Sequence, residues 1–190
     1  MEIALFVVIA LIVVILVYAI MIYNNLVRLK HAVSQAWANI DVLLKQRHDE
    51  LPKLVEACKQ YMGYEQETLR QVMEARAKVA QAREAGDVAA LGPAETQLRL
   101  GLGNLFAVAE AYPELKASES FQHLQSRISG LENAIADRRE YYNEAVNNNN
   151  VRIEQFPDVI IARQFGFGPR QLLEFSDEEK KDVDMKALFG

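Results

Sequence analysis

Arg47, Glu65, Arg138 and Arg139 stand on or next to apolar residues that recur every three or four positions, with Glu110 and Glu132 just off those stripes. Burying a charge costs several kcal/mol unless it is paired, so acid and base on facing helices must meet. The expected outcome is a network of structural ion pairs that fixes helix register. The competing one is a polar pocket for a small ligand or metal. Other chemistry-bearing residues converge less. His31, His48 and His123 are the only histidines, and none belongs to an HExxH or Glu-x-x-His pattern or stands near a cysteine pair. They are expected on the surface. Cys58 is the only cysteine, so an internal disulfide is excluded, in agreement with a reducing compartment. Gly101-Leu102-Gly103 and Gly166-Phe167-Gly168 lack the third glycine and preceding strand of a dinucleotide loop. No catalytic, cofactor-binding or metal-ligating residue is therefore expected, and the chain does not read as an enzyme.

The elements that position these residues are helices. Leu29, Val33, Trp37, Ile40, Leu44, Arg47, Leu51, Leu54 and Cys58 follow one another at alternating spacings of three and four, and the same rhythm continues to Val79. It recurs from Leu91 to Tyr112 and again from Phe121 to Tyr142, while no period-two stretch is long enough for a strand. Two glycines and an aspartate within residues 84–92 mark a turn, Pro93 suits a first helical turn, Pro113 ends a helix, and Ser118 can cap the next. Pro52 interrupts the first stripe, where a kink or a reversal would each satisfy its geometry. One straight helix over residues 25–82 would reach roughly 85 Å and leave half its stripe bare, so a reversal is expected near Arg47 to Pro52. The resulting fold class is all-α: an N-terminal transmembrane helix continuing into an antiparallel, up-and-down four-helix bundle. The expected divisions are an anchor at 1–24, the bundle at 25–157, and at 158–190 an irregular tail with a short acidic helix. Ser176-Asp177-Glu178-Glu179 is a capping box that would start that helix. Phe165, Phe167, Leu172, Leu173, Phe175, Leu188 and Phe189 lie in this otherwise polar tail and need cover, from the bundle or from a partner.

Ile3 opens and Tyr23 closes a run of twenty-one residues without a charged, amide or hydroxyl-only side chain. At the helical rise that is roughly 30 Å, the thickness of a hydrocarbon core. Glu2 ahead of the run and the bulky residues at its end argue against a cleaved signal peptide. Arg28, Lys30, Lys45 and Arg47 follow the run, which predicts a single-pass protein with its bulk in the cytoplasm. The net charge is −5, of which residues 174–186 contribute −3 and residues 24–173 only −1. Such a body is a poor binder of nucleic acid or anionic lipid, so attachment to the bilayer is expected to come from the helix.

A set of short motifs carries a family resemblance over almost the whole chain. It begins at Tyr23-Asn24-x-Leu26-Val27 and runs through Trp37, Ile40-Asp41, Leu44 and Arg47 to Leu51-Pro52-x-Leu54-Val55, Tyr61, Glu65 and Arg76. It continues with Glu110-Ala111-Tyr112-Pro113-Glu114-Leu115, Phe121, Leu124-Gln125, Glu132, Ile135-Ala136, Arg139 and Tyr142-Asn143, and closes on Phe156-Pro157 and Phe165-Gly166-Phe167. In order and spacing these motifs make the chain similar to the LemA family. The resemblance implies a membrane helix followed by an up-and-down helical bundle, no catalytic residues, and loose associations with envelope or membrane organisation and with membrane proteases. Two departures stand out: only Asn150 of the asparagine run 147–150 matches a Tyr-Asn pair, and Tyr64 replaces a common histidine. The expected role is a non-enzymatic scaffold in the bacterial inner membrane that forms a homo-oligomer through its helices and organises envelope proteins or membrane. The alternative is an adaptor or regulator of a membrane enzyme such as a quality-control protease. Expected partners are the lipid bilayer, further copies of the chain and a membrane protein, with no nucleic acid and no cofactor.

Overall fold

The computed structural model describes residues 1–174, and these are all-α, with no strand among them. The helices are α1 (Glu2–Lys59), α2 (Gln66–Ala85), α3 (Val88–Ala109), α4 (Pro113–Ala117), α5 (Glu119–Glu154) and α6 (Asp158–Gln164). The chain divides into two compact units. One is Met1–Ala38 with Glu140–Gln171; the other is Asn39–Arg139 with the described residues 172–174.

α1 runs for 58 residues with Pro52 inside it, so the reversal expected near Arg47 to Pro52 does not occur. Proline has no N–H, which deprives the carbonyl of His48, four residues earlier, of its helical donor. Arg76 of α2 replaces that donor: its Nε donates to the His48 carbonyl at 2.9 Å. The chain turns back after Lys59 instead, where Met62 N still donates to the Cys58 carbonyl and Glu65 precedes α2. A helix of this length does not stay bare, because α5 covers its stripe in the first unit while α2 folds back along it in the second. In the first unit, for example, the Trp37 ring lies 5.6 Å from that of Tyr142.

In the second unit α2 and α3 form an antiparallel hairpin around Gly86 and Asp87, where the Asp87 carboxylate accepts from Ala90 N at 2.9 Å. Pro93 falls inside α3, in its second turn and not its first. Pro113 opens the short α4, and Ser118 Oγ accepts from Phe121 N at the start of α5, as its type and position lead one to expect. Ile40, Leu44, Leu51, Leu54 and Cys58 of α1, with Leu98, Leu105 and Phe121, are buried there. Polar side chains also link α1 to every other long helix: Arg83 to Asp41 at 3.5 Å from α2, Arg47 to Glu95 from α3, and Arg127 to Glu50 at 3.1 Å from α5.

In the first unit the apolar start of α1 stands free of protein. Its most apolar 18-residue window has a mean hydropathy of 3.4 and is 6% buried, which excludes the core helix of a soluble domain. Burial begins at Ile22 and Leu26, which pack with Ile153 and Ala162, and with Ile161 and Phe167 beside them. The segment from 158, expected as irregular, thus begins with the helix α6, held by burial of Ala162 and by an Asp158 to Arg152 ion pair at 2.9 Å. Gly166 follows at φ +69°, a left-handed conformation that only glycine adopts freely, and it turns Phe167 N back to the Ala162 carbonyl at 2.9 Å. The capping box from Ser176 and the residues Phe175, Leu188 and Phe189 lie outside the described residues.

Candidate functional site

The second unit is centred on a buried guanidinium. Arg47 is 1% exposed; its Nη2 donates to Glu95 Oε1 and its Nη1 to Glu132 Oε1, each at 2.5 Å. Its position is set by the stripe of α1: Leu44 precedes it by three residues and Leu51 follows by four, so any side chain here points inward. Burial alone would favour the neutral base, but two adjacent carboxylates outweigh it and hold the guanidinium above its ordinary value, so it stays charged. Glu95 is 6% exposed, and burial pushes its carboxyl up against the pull of Arg47. Arg139 adds positive charge near the same carboxyl. One cation thus fastens α1 to α3 and α5 through two fixed hydrogen bonds, a geometry that sets register.

The other charged residues expected here are distributed differently. Glu65 accepts from the Tyr112 hydroxyl at 3.3 Å, joining the start of α2 to the end of α3, while Glu110 pairs with Lys116 at the surface. Arg139 is half-buried and Arg138 is exposed, because adjacent helical residues point roughly 100° apart and only one of the two can face inward. Glu95 is the member that the stripes alone did not single out. It stands four residues after Leu91 and three before Leu98, a spacing that puts it on the buried face of α3.

His31 and His123 are exposed, whereas His48 is partly buried beneath Arg76, whose Nη2 lies 2.6 Å from its Nε2. Burial and then that neighbouring charge lower its pKa, which keeps the ring neutral and Nε2 an acceptor. Cys58 is fully buried, and burial pushes its thiol up to about 11. Against the ordinary thiol value of 9.0 that leaves roughly a hundredfold less thiolate near neutrality. The folded chain is expected to resist maleimide and iodoacetamide until denatured, as read by mass shift; labelling at the rate of a free thiol would contradict this burial. Among the described residues no group of three or more His, Cys, Asp or Glu is placed to hold a metal ion.

Among the described residues these features define a class: all-helical, with one N-terminal helix long and apolar enough to cross a bilayer and a charged core that joins helices. The chain belongs to the LemA family, whose model matches residues 36–186. It is similar to Protein LemA of Metamycoplasma hominis, with 27% identity over 87% of this chain and 74% of that protein. It is also similar to Magnetosome protein MamQ 2 of Paramagnetospirillum magneticum, with 24% identity over 76% of this chain. A third relative, Magnetosome protein MamQ of Magnetospirillum gryphiswaldense, is 32% identical over 35% of this chain and 24% of its own length. The chain spans 62% of the length of MamQ 2.

Proposed function

We propose that the chain is a non-enzymatic scaffold, anchored in a bacterial inner membrane by residues 3–23, that associates with further copies of itself and organises envelope proteins or membrane beside it. The carrying observation is the exposed apolar start of α1, continuous with the same helix that holds Arg47. Every side chain of that start from Ile3 to Tyr18 is left without protein cover, which only lipid or another apolar helix can supply. Arg28 and Lys30 just beyond it support an orientation with the bulk of the chain in the cytoplasm, since basic flanks are retained on that side. The relatives named as magnetosome proteins support a membrane-associated, non-enzymatic role. Tethering confines copies to two dimensions and raises their effective concentration, so weak helix contacts suffice for assembly. Native mass measurement of the full chain in mild detergent and in lipid nanodiscs is expected to give more than one copy per particle. A strictly monomeric chain in both would overturn the scaffold.

A further inference from the structure

The foot of the first unit is a cleft of about 350 Å³ between α1 and the 165–170 segment. Tyr23, at the end of the apolar run, forms its floor, with ring centroids 4.9 Å from Phe165 and 5.7 Å from Phe167 in edge-on contacts. Lys30, His31, Asn149 and Arg170 supply its polar side, and no acid among the described residues lines it. The wall is built rather than draped. Asn150 Nδ2 donates to the Arg170 carbonyl and its Oδ1 accepts from Arg170 N, both at 2.8 Å, while Asn149 donates to the Gly168 carbonyl at 3.4 Å. Both bonds between Asn150 and Arg170 use the Arg170 backbone, so they fix the segment without engaging its guanidinium, and Arg170 lines the cleft.

Depth decides what this cleft meets. α5 descends beside α1, since Tyr142 faces Trp37 and Ile153 packs with Ile22 and Leu26. The corner beyond α5 therefore reaches the level of the apolar run, and there Phe156 is 82%, Ile160 56% and Phe165 59% exposed. Such side chains in water are costly, but at an acyl boundary they are at home. Lys30 lies roughly 10 Å above Tyr23 along the helix, and its stem lets the ammonium reach down toward a headgroup layer that begins at Tyr23 and is roughly 5–8 Å thick.

We propose that this cleft is a binding site for one phospholipid of the surrounding bilayer, with its phosphate held by Lys30, His31 and Arg170 and its acyl chains lying against α1 and the Phe156–Ile160 corner. The proposal rests on the membrane anchoring of α1 and adds a second point of attachment that net charge conceals. The body is close to neutral overall, yet Lys30 and Arg170 line the cleft together with no acid among its described lining residues.

The test is native mass spectrometry of the full chain in mild detergent with added phosphatidylglycerol, together with a photo-crosslinkable phosphatidylglycerol mapped by peptide. The wild-type chain is expected to retain one lipid and to crosslink at peptides containing Lys30 or residues 165–170. The Lys30→Gln, Arg170→Gln double variant is expected to bind about tenfold more weakly or worse, with unchanged helical circular dichroism. Crosslinks spread evenly along α1, or equal retention by the double variant, would overturn the site. Displacement of the lipid by millimolar inorganic phosphate would also overturn it, because the site would then be one for free phosphate. The crosslink map needs no variant and so decides even if the double variant misfolds. Release of the chain from membranes by alkaline carbonate would instead defeat the anchoring itself, whereas a chain that stays in the membrane without a mapped lipid defeats only the cleft.

Discussion

Replacing Arg47 by methionine is expected to cost about 3–5 kcal/mol at pH 7, measured by urea denaturation of the full chain in detergent micelles and read by far-ultraviolet circular dichroism. Methionine fills similar volume, so the loss reports the two carboxylates left without the guanidinium that both contact at 2.5 Å. The pH dependence gives the diagnosis. Burial already raises the Glu95 carboxyl in the folded chain, and Arg47 is the chief influence pulling it back. In the variant that pull is gone, so the folded-state value rises further above the unfolded one. Below the unfolded value both states hold the proton; between the two values only the folded state does, and stability falls as pH rises through that window. The deficit of the variant relative to wild type should therefore shrink as pH falls from 7 toward 5. A triple variant, Arg47→Met with Glu95→Met and Glu132→Gln, should recover most of the loss, since an apolar substitute for a buried pair is commonly neutral or better. A pH-independent deficit, or one below 1 kcal/mol, would show that the cluster is solvated.

Gly92→Ala and Gly103→Ala are expected to act in opposite directions although both place a methyl in the interior of α3. At Gly103 nothing lies within 4 Å of the added carbon, so the substitution should stabilise by about 1 kcal/mol through helix propensity. At Gly92 the same carbon would stand 1.9 Å from the backbone oxygen of Glu174, a contact no rotamer can relieve. The segment 172–174 must then lift, and Leu173, now 2% exposed, loses its place. A net loss of about 1–3 kcal/mol is expected, together with faster amide exchange at 172–174 in hydrogen-exchange mass spectrometry. Equal stabilisation at both sites would mean that the segment does not dock there.

The three-four rhythm alone located most of the core. Ile40, Leu44, Arg47, Leu51, Leu54 and Cys58 all came from one stripe and are all buried, because a helix repeats its inward face whatever its partners are. The partners themselves were less legible. Arg47 announced that an acid must face it, but Glu132 and Glu95 stand 85 and 48 residues away, and no local pattern states which helices will meet. Pro52 misled for the same reason. Locally it reads as a break, and its remedy, the Arg76 guanidinium, arrives 24 residues later on another helix. The helix α6 is a related case: seven residues are too short to be stable alone, and only the packing of Ala162 against Ile22 and Leu26 makes them helical. The site at the foot of the first unit was hidden in the total charge, which averages over depth and so erases a local cluster.

Pro52 also imposes an order on biogenesis. In synthesis Pro52 precedes Arg76 by 24 residues, so α1 is made before the donor that its His48 carbonyl will use. The His48 carbonyl then has only water for company until Arg76 has been translated and α2 has swung into place. The bond that Pro52 removes is thus replaced by a protein donor only when α2 docks. One proline thus ties the continuity of a long helix to a side chain that another helix brings.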